Sequence, residues 1–101
     1  MSYTYKFLPT ALTEYAEAVK WYKERNIAAA ENFIVAVNER IKNICADPIR
    51  YRNTYKFFRE VSLKKYPYYI VYFIDTEAST IIISAVYHHK RDPKKKYKNR
   101  S

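Results

Sequence analysis

The sequence predicts a two-layer α+β domain in the order β-α-α-β-β-β, with two N-terminal helices packed on one face of a small, curved, mainly antiparallel sheet. Three observations point there. Residues 10–47 hold two stretches whose apolar residues recur every three or four positions, which is the period of a helix with one buried face. Residues 57–88 hold runs that alternate in polarity or are dense in β-branched and aromatic residues, which suit a pleated surface. The chain has 101 residues, 49 % hydrophobic and 18 % aromatic, which is enough for one core and too apolar for a disordered basic tail protein.

Taken in order, residues 3–8 (YTYKFL) alternate Tyr3, Tyr5 and Phe7 with Thr4 and Lys6, as a half-buried strand does, and Pro9 closes it. Thr10 is the expected N-cap of the first helix, whose apolar face is Leu12, Tyr15, Ala16, Val19 and Tyr22 and which ends near Arg25. A second helix runs from about Asn26 with the stripe Ala30, Phe33, Ile34, Val37, Ile41, Ile44 and Cys45. Asp47-Pro48 ends it, because proline disfavours helical backbone in the residue before it. A strand at about 57–64 points Arg59, Val61 and Leu63 one way and Glu60, Ser62 and Lys64 the other. Residues 68–75 (YYIVYFID) are apolar on both faces, as a central strand covered on both sides would be. The turn 75–79 (DTEAS) is short enough for a hairpin into a strand at 80–88 (TIIISAVYH).

Composition excludes several classes. With no glycine, the chain lacks the phosphate-binding P-loop, the dinucleotide-binding fingerprint and the glycine-bearing RNA-recognition signature, each of which needs backbone approach that only glycine allows. Cys45 is the only cysteine, so neither an intrachain disulfide nor a thiolate zinc cluster is available, and a reducing cytoplasm is the expected compartment. The longest apolar stretch, Tyr68 to Ile74, is too short to span a bilayer, and no membrane partner is expected. His88 and His89 are neighbours and would point to opposite faces of a strand, so no metal site is expected, and no cofactor either.

Charge is unevenly placed. The chain carries 19 Lys and Arg against 10 Asp and Glu, a formal +9, yet residues 10–47 sum to −1 and residues 48–101 to +9. The final stretch 90–101 (KRDPKKKYKNRS) alone carries +6. A basic sheet half beside a basic tail is an electrostatic footprint for nucleic acid or an acidic protein.

The opening FLPTALTEYAEAVKWY, the second helix ending at ADP, Arg59 on the next strand, the YPYYIVY strand (66–72) and the ending AVYHHKRDP (85–93) together resemble the RelE/ParE superfamily of type II toxin-antitoxin toxins. The resemblance spans nearly the whole chain and implies a toxin domain over residues 1–93 followed by a basic tail at 94–101. It further implies a growth inhibitor, of the kind used in plasmid stabilization, neutralised by a cognate acidic antitoxin. Its target would be either ribosome-bound mRNA, cut by a metal-free endoribonuclease of RelE type, or DNA gyrase, bound by an inhibitor of ParE type. A further alternative is a non-toxic basic nucleic-acid-binding module.

Metal-free RNA cleavage needs a base for the 2′-OH, cations for the charged phosphorane and an acid for the leaving oxygen. His88, whose ordinary pKa is near about 6.5, matches the histidine of the family's AVYH segment and is the candidate acid or base. The alternative for it is a strand-end histidine hydrogen-bonded to main chain. Arg59 and Arg91 match family arginines and could each hold a phosphate through two parallel hydrogen bonds, or else serve structural pairs. Lys64, Lys65, Lys90, Lys94, Lys95 and Lys96 are candidate phosphate or target contacts, and Tyr97, set among lysines, is a candidate stacking ring. The histidine and two arginines tip the expectation towards the nuclease, with the gyrase inhibitor as the alternative, although the lysines on the strands are sparse for the most RelE-like members.

Overall fold

The computed structural model describes residues 3–90. Its elements are β1 (Thr4–Phe7), α1 (Pro9–Arg25), α2 (Ile27–Ala46), β2 (Arg52–Tyr55), β3 (Phe58–Ser62), β4 (Tyr68–Asp75) and β5 (Thr80–His88). The strands form one sheet in the order β1-β5-β4-β3-β2, parallel between β1 and β5 and antiparallel elsewhere. The two-layer α+β reading therefore holds, with one strand more than expected. That strand, β2, is an edge of mostly exposed residues (RNTY) whose extended form comes from pairing Arg52 with Glu60 and Asn53 with Arg59.

The start of α1 also differs from the expected one. Leu8 occupies the capping position without a side-chain hydrogen bond, and Pro9 opens the helix. A proline there loses nothing, because the first helical N–H has no intrahelical acceptor and the ring presets the helical φ. Thr10 consequently lies inside the first turn rather than capping it. Between the helices Asn26 serves both ends: its N–H donates to the Tyr22 carbonyl (2.8 Å) and its Oδ1 accepts from the Ala29 N–H (3.1 Å). One extended residue thus closes α1 and caps α2.

The core lies between the helices and one sheet face, where Phe33, Val37, Ile41 and Ile44 of α2 meet Ile70, Tyr72, Ile81, Ile83 and Val86. Phe33 is fully buried and its ring meets those of Tyr15, Tyr22, Tyr66 and Tyr68 at centroid separations of 4.9 to 6.1 Å. Much of the tyrosine content is therefore structural, each ring giving large apolar area and a polar tip for the rim. A bulge shifts the β4–β5 register so that Val71 pairs with Ala85 but Tyr72 pairs with Ile83. Ser84 is the extra residue, fully buried, and its hydroxyl donates to the Val71 carbonyl (3.3 Å). Its consequence is a change of phase: Ile83 and Val86 both face the helices, while Ala85 and Tyr87 join Phe58 and Val71 on the second face. Past the end of β1, the Val86 N–H finds its acceptor in Glu14 Oε1 of α1 (3.0 Å).

Candidate functional site

Arg59 sits on β3 opposite Tyr72 of β4, on the helix side of the sheet. Its Nη1 donates to the carbonyl of Tyr51 (2.7 Å) and to that of Ile49 (3.3 Å). Beside it, the fully buried Tyr72 hydroxyl donates to the Pro48 carbonyl at 2.6 Å. Burial pushes the Tyr72 phenol far above its ordinary value, against a smaller lowering by the Arg59 charge. These two side chains fasten residues 48–51, the irregular segment that carries the chain from α2 to β2, by supplying donors to carbonyls that no strand satisfies.

His88 ends β5 opposite Tyr68, whose ring meets its own edge-on with centroids 5.0 Å apart. Its Nδ1 accepts the Lys90 N–H at 3.0 Å, so the neutral ring carries its hydrogen on Nε2. Tyr68 and Tyr72 are four residues apart on β4, and His88 and Arg59 lie on opposite flanks of that strand. Strand geometry then separates the two by about 13 Å along the sheet and about 10 Å across it. They share the helix-side face, with their backbone positions set apart by that register. Neighbouring His89 lies on the other side, its ring 4.2 Å from that of Tyr69.

Lys64 and Lys65 lie in the connection from β3 to β4. There, with Leu63 and Tyr66, they form one wall of a groove whose other wall is the Val35, Glu39 and Arg40 side of α2. Lys90 is exposed in the turn after β5. Arg91, Lys94, Lys95, Lys96 and Tyr97 lie outside the described residues. The second sheet face, away from the helices, is apolar at its centre: Phe58, Val71, Ala85 and Tyr87 are buried there, flanked by Tyr69 and Phe73.

Residues 49–57 (IRYRNTYKF), which gave no periodic signal, form a basic and aromatic edge. The Arg50 guanidinium lies 5.7 Å from the centre of the Tyr51 ring, and the Lys56 ammonium 5.3 Å from that of Tyr55. The cue that was present is the interleaving of Arg50, Arg52 and Lys56 with Tyr51, Tyr55 and Phe57. Among the described residues no helix is long and apolar enough to cross a membrane.

With that geometry in place, residues 5–93 match a family model described as the ParE toxin of type II toxin-antitoxin system, parDE. Solved structures share the fold at low identity. A chromosomal ParDE system from P. aeruginosa aligns with a TM-score of 0.72 at 12 % identity, over 86 % of this chain and 96 % of that one. The isolated E. coli RelE toxin aligns at 0.61 and 14 % identity, over 93 % and 92 %. The RelBE2 toxin-antitoxin complex from Mycobacterium tuberculosis aligns at 0.54 and 22 % identity, over 87 % and 99 %. No curated protein matches the chain.

Proposed function

The chain belongs to the ParE toxin family of type II toxin-antitoxin systems, and from that premise we propose that this toxin arrests growth by binding DNA gyrase rather than by cutting RNA. The observation that carries this reading is the employment of Arg59. Cleavage without a metal needs the acid or base and the phosphate-holding cations around one phosphate. Arg59 spends its Nη1 on the Tyr51 and Ile49 carbonyls, and strand register sets its backbone about 16 Å from that of His88.

The partner in the resting state is a cognate acidic antitoxin, which the net charge of +9 favours on electrostatic grounds, and the setting is the cytoplasm, where gyrase works. Induction of the chain in a bacterial host without antitoxin tests this directly, with chromosomal DNA assayed for breaks and cellular RNA mapped for new 5′ ends in one culture. DNA breaks with intact messenger RNA are expected, and His88→Ala should leave the arrest in place. New 5′ ends at ribosome-protected positions, abolished by His88→Ala, would restore the nuclease reading in its place.

A further inference from the structure

The edge formed by β2 and its hairpin into β3 has no role in the reading above. Residues 48–59 contain four Arg and Lys, no Asp or Glu, and four aromatic rings. Tyr55 keeps 45 % and Phe57 51 % of its surface in water, as exposed as Tyr5 and Trp21 elsewhere, while the remaining described Phe and Tyr rings are buried or half-buried. They are braced from behind: Phe57 stacks on Phe58 (4.7 Å) and meets Phe73 edge-on (5.2 Å), and Tyr55 lies parallel to Phe58 at 6.5 Å. The turn between them is fixed by the Asn53 Nδ2 donating to the Lys56 carbonyl (3.0 Å), with Lys56 itself at φ 50, a left-handed conformation. Two half-exposed rings are therefore held in place, with the Lys56 ammonium 5.3 Å from the Tyr55 ring. Arg52, paired across the strands with Glu60, lies on the same sheet face as Tyr55, and Arg50 stands just before the strand.

From these residues we propose that the β2 edge binds single-stranded nucleic acid, with Tyr55 and Phe57 as stacking platforms for bases and Arg50, Arg52 and Lys56 as phosphate contacts. Every base offers a π-face, so preset rings beside cations bind unpaired strands with little sequence preference. Glu60 offsets part of the Arg52 charge and leaves the edge basic. The other occupant an edge strand invites is a peptide strand, and the edge is poorly made for one. It has only four residues, and its register shifts between Asn53 and Tyr55, both of which blunt strand addition. The stacking and phosphate residues named here, Tyr55, Phe57, Arg50, Arg52 and Lys56, are not those that carry the gyrase reading, and the proposal does not depend on it.

The test is fluorescence anisotropy of a labelled twelve-residue oligothymidylate with the full chain at fixed salt, alongside an abasic strand of equal length and polyglutamate as a competitor. Tyr55→Ala and Phe57→Ala each weaken oligothymidylate binding by about 5-fold or more, as the loss of one stacked base implies, and leave abasic binding unchanged. Arg52→Gln and Lys56→Gln each reduce the slope of log affinity against log salt by about 0.7. Melting followed by Trp21, which lies in α1, confirms that the variants fold. Equal binding of the abasic strand, or ring variants that match the parent, would assign all affinity to other basic residues and overturn the proposal. Polyglutamate that competes as well as oligothymidylate would overturn it in favour of an acidic peptide surface.

Discussion

Replacing Arg59 by alanine tests whether its guanidinium holds the fold or a phosphate. The substitution removes the donors to the Tyr51 carbonyl at 2.7 Å and the Ile49 carbonyl at 3.3 Å. A hydrogen bond with a charged donor contributes about 1.5–3 kcal/mol. The longer bond is exposed and water replaces much of it, so the expected cost is about 2–3 kcal/mol, dominated by the shorter one. For a domain of this size that lowers Tm by roughly 8–20 °C. Tyr72→Phe, which strips the Pro48 carbonyl of its buried donor, costs about 1–2 kcal/mol. Because both side chains fasten the same residues 48–51, the double variant should lose less than the sum of the two, by about 0.5–1 kcal/mol. Urea denaturation followed by Trp21 fluorescence and far-UV circular dichroism gives all three values. An Arg59→Ala protein that unfolds at the parent midpoint yet has lost its toxicity would refute the reasoning, because a phosphate ligand behaves that way and a structural clamp does not.

Other outcomes follow from the same structure. Glu14→Ala leaves the buried Val86 N–H without its acceptor and costs about 1–3 kcal/mol, whereas Glu14→Gln keeps an oxygen there and recovers most of it; equal urea midpoints for the two would count against that role. Asn26→Ala removes the cap of α2 and costs about 1 kcal/mol, read as a lower midpoint with unchanged slope. Burial raises the Tyr72, Tyr15 and Tyr22 phenols above their ordinary 10.0 and the Cys45 thiol above 9.0. Each folded-state value lies above the unfolded one, so the stability they contribute is complete below about pH 9 and falls as pH rises through 10. Tyr72→Phe should flatten that fall between pH 10 and 11, and parallel profiles for variant and parent would exclude Tyr72 as its source.

Strong local signals marked most of the fold in the sequence. The runs at 68–75 and 80–88 are β4 and β5 to the residue, because β-branched and aromatic density leaves no competing periodicity. The stripe from Ala30 to Cys45 is α2, with Asn26 at its start. What stayed hidden depends on tertiary contacts. The segment RNTY has no apolar alternation and becomes β2 only through its pairing with β3. Thr10 and Pro9 both suit the start of a helix, and proline takes the first position because its φ is already helical. The bulge at Ser84 redirects Ala85 although the alternation of Ile81 and Ile83 continues through it in the sequence.

The strand positions of Arg59 and His88 were legible in the sequence, but their spacing was not. Arg59 and His88 are both on strands, as their surroundings implied, but the register that parts them by four positions on β4 follows from pairing alone. The acceptors of Arg59 are main-chain carbonyls of Ile49 and Tyr51, which carry no side-chain pattern to be read. The described part of the chain ends at Lys90, so the tail cations named from the sequence stand as expectations for the target interface.

The most direct measurement is supercoiling by purified bacterial DNA gyrase on relaxed plasmid, with increasing amounts of the full chain and a parallel reaction containing translating ribosomes and messenger RNA. The account predicts inhibition of supercoiling or accumulation of cleaved plasmid at near-stoichiometric toxin, undiminished by His88→Ala, with the messenger left whole. Unaffected gyrase together with messenger cut on the ribosome would contradict it.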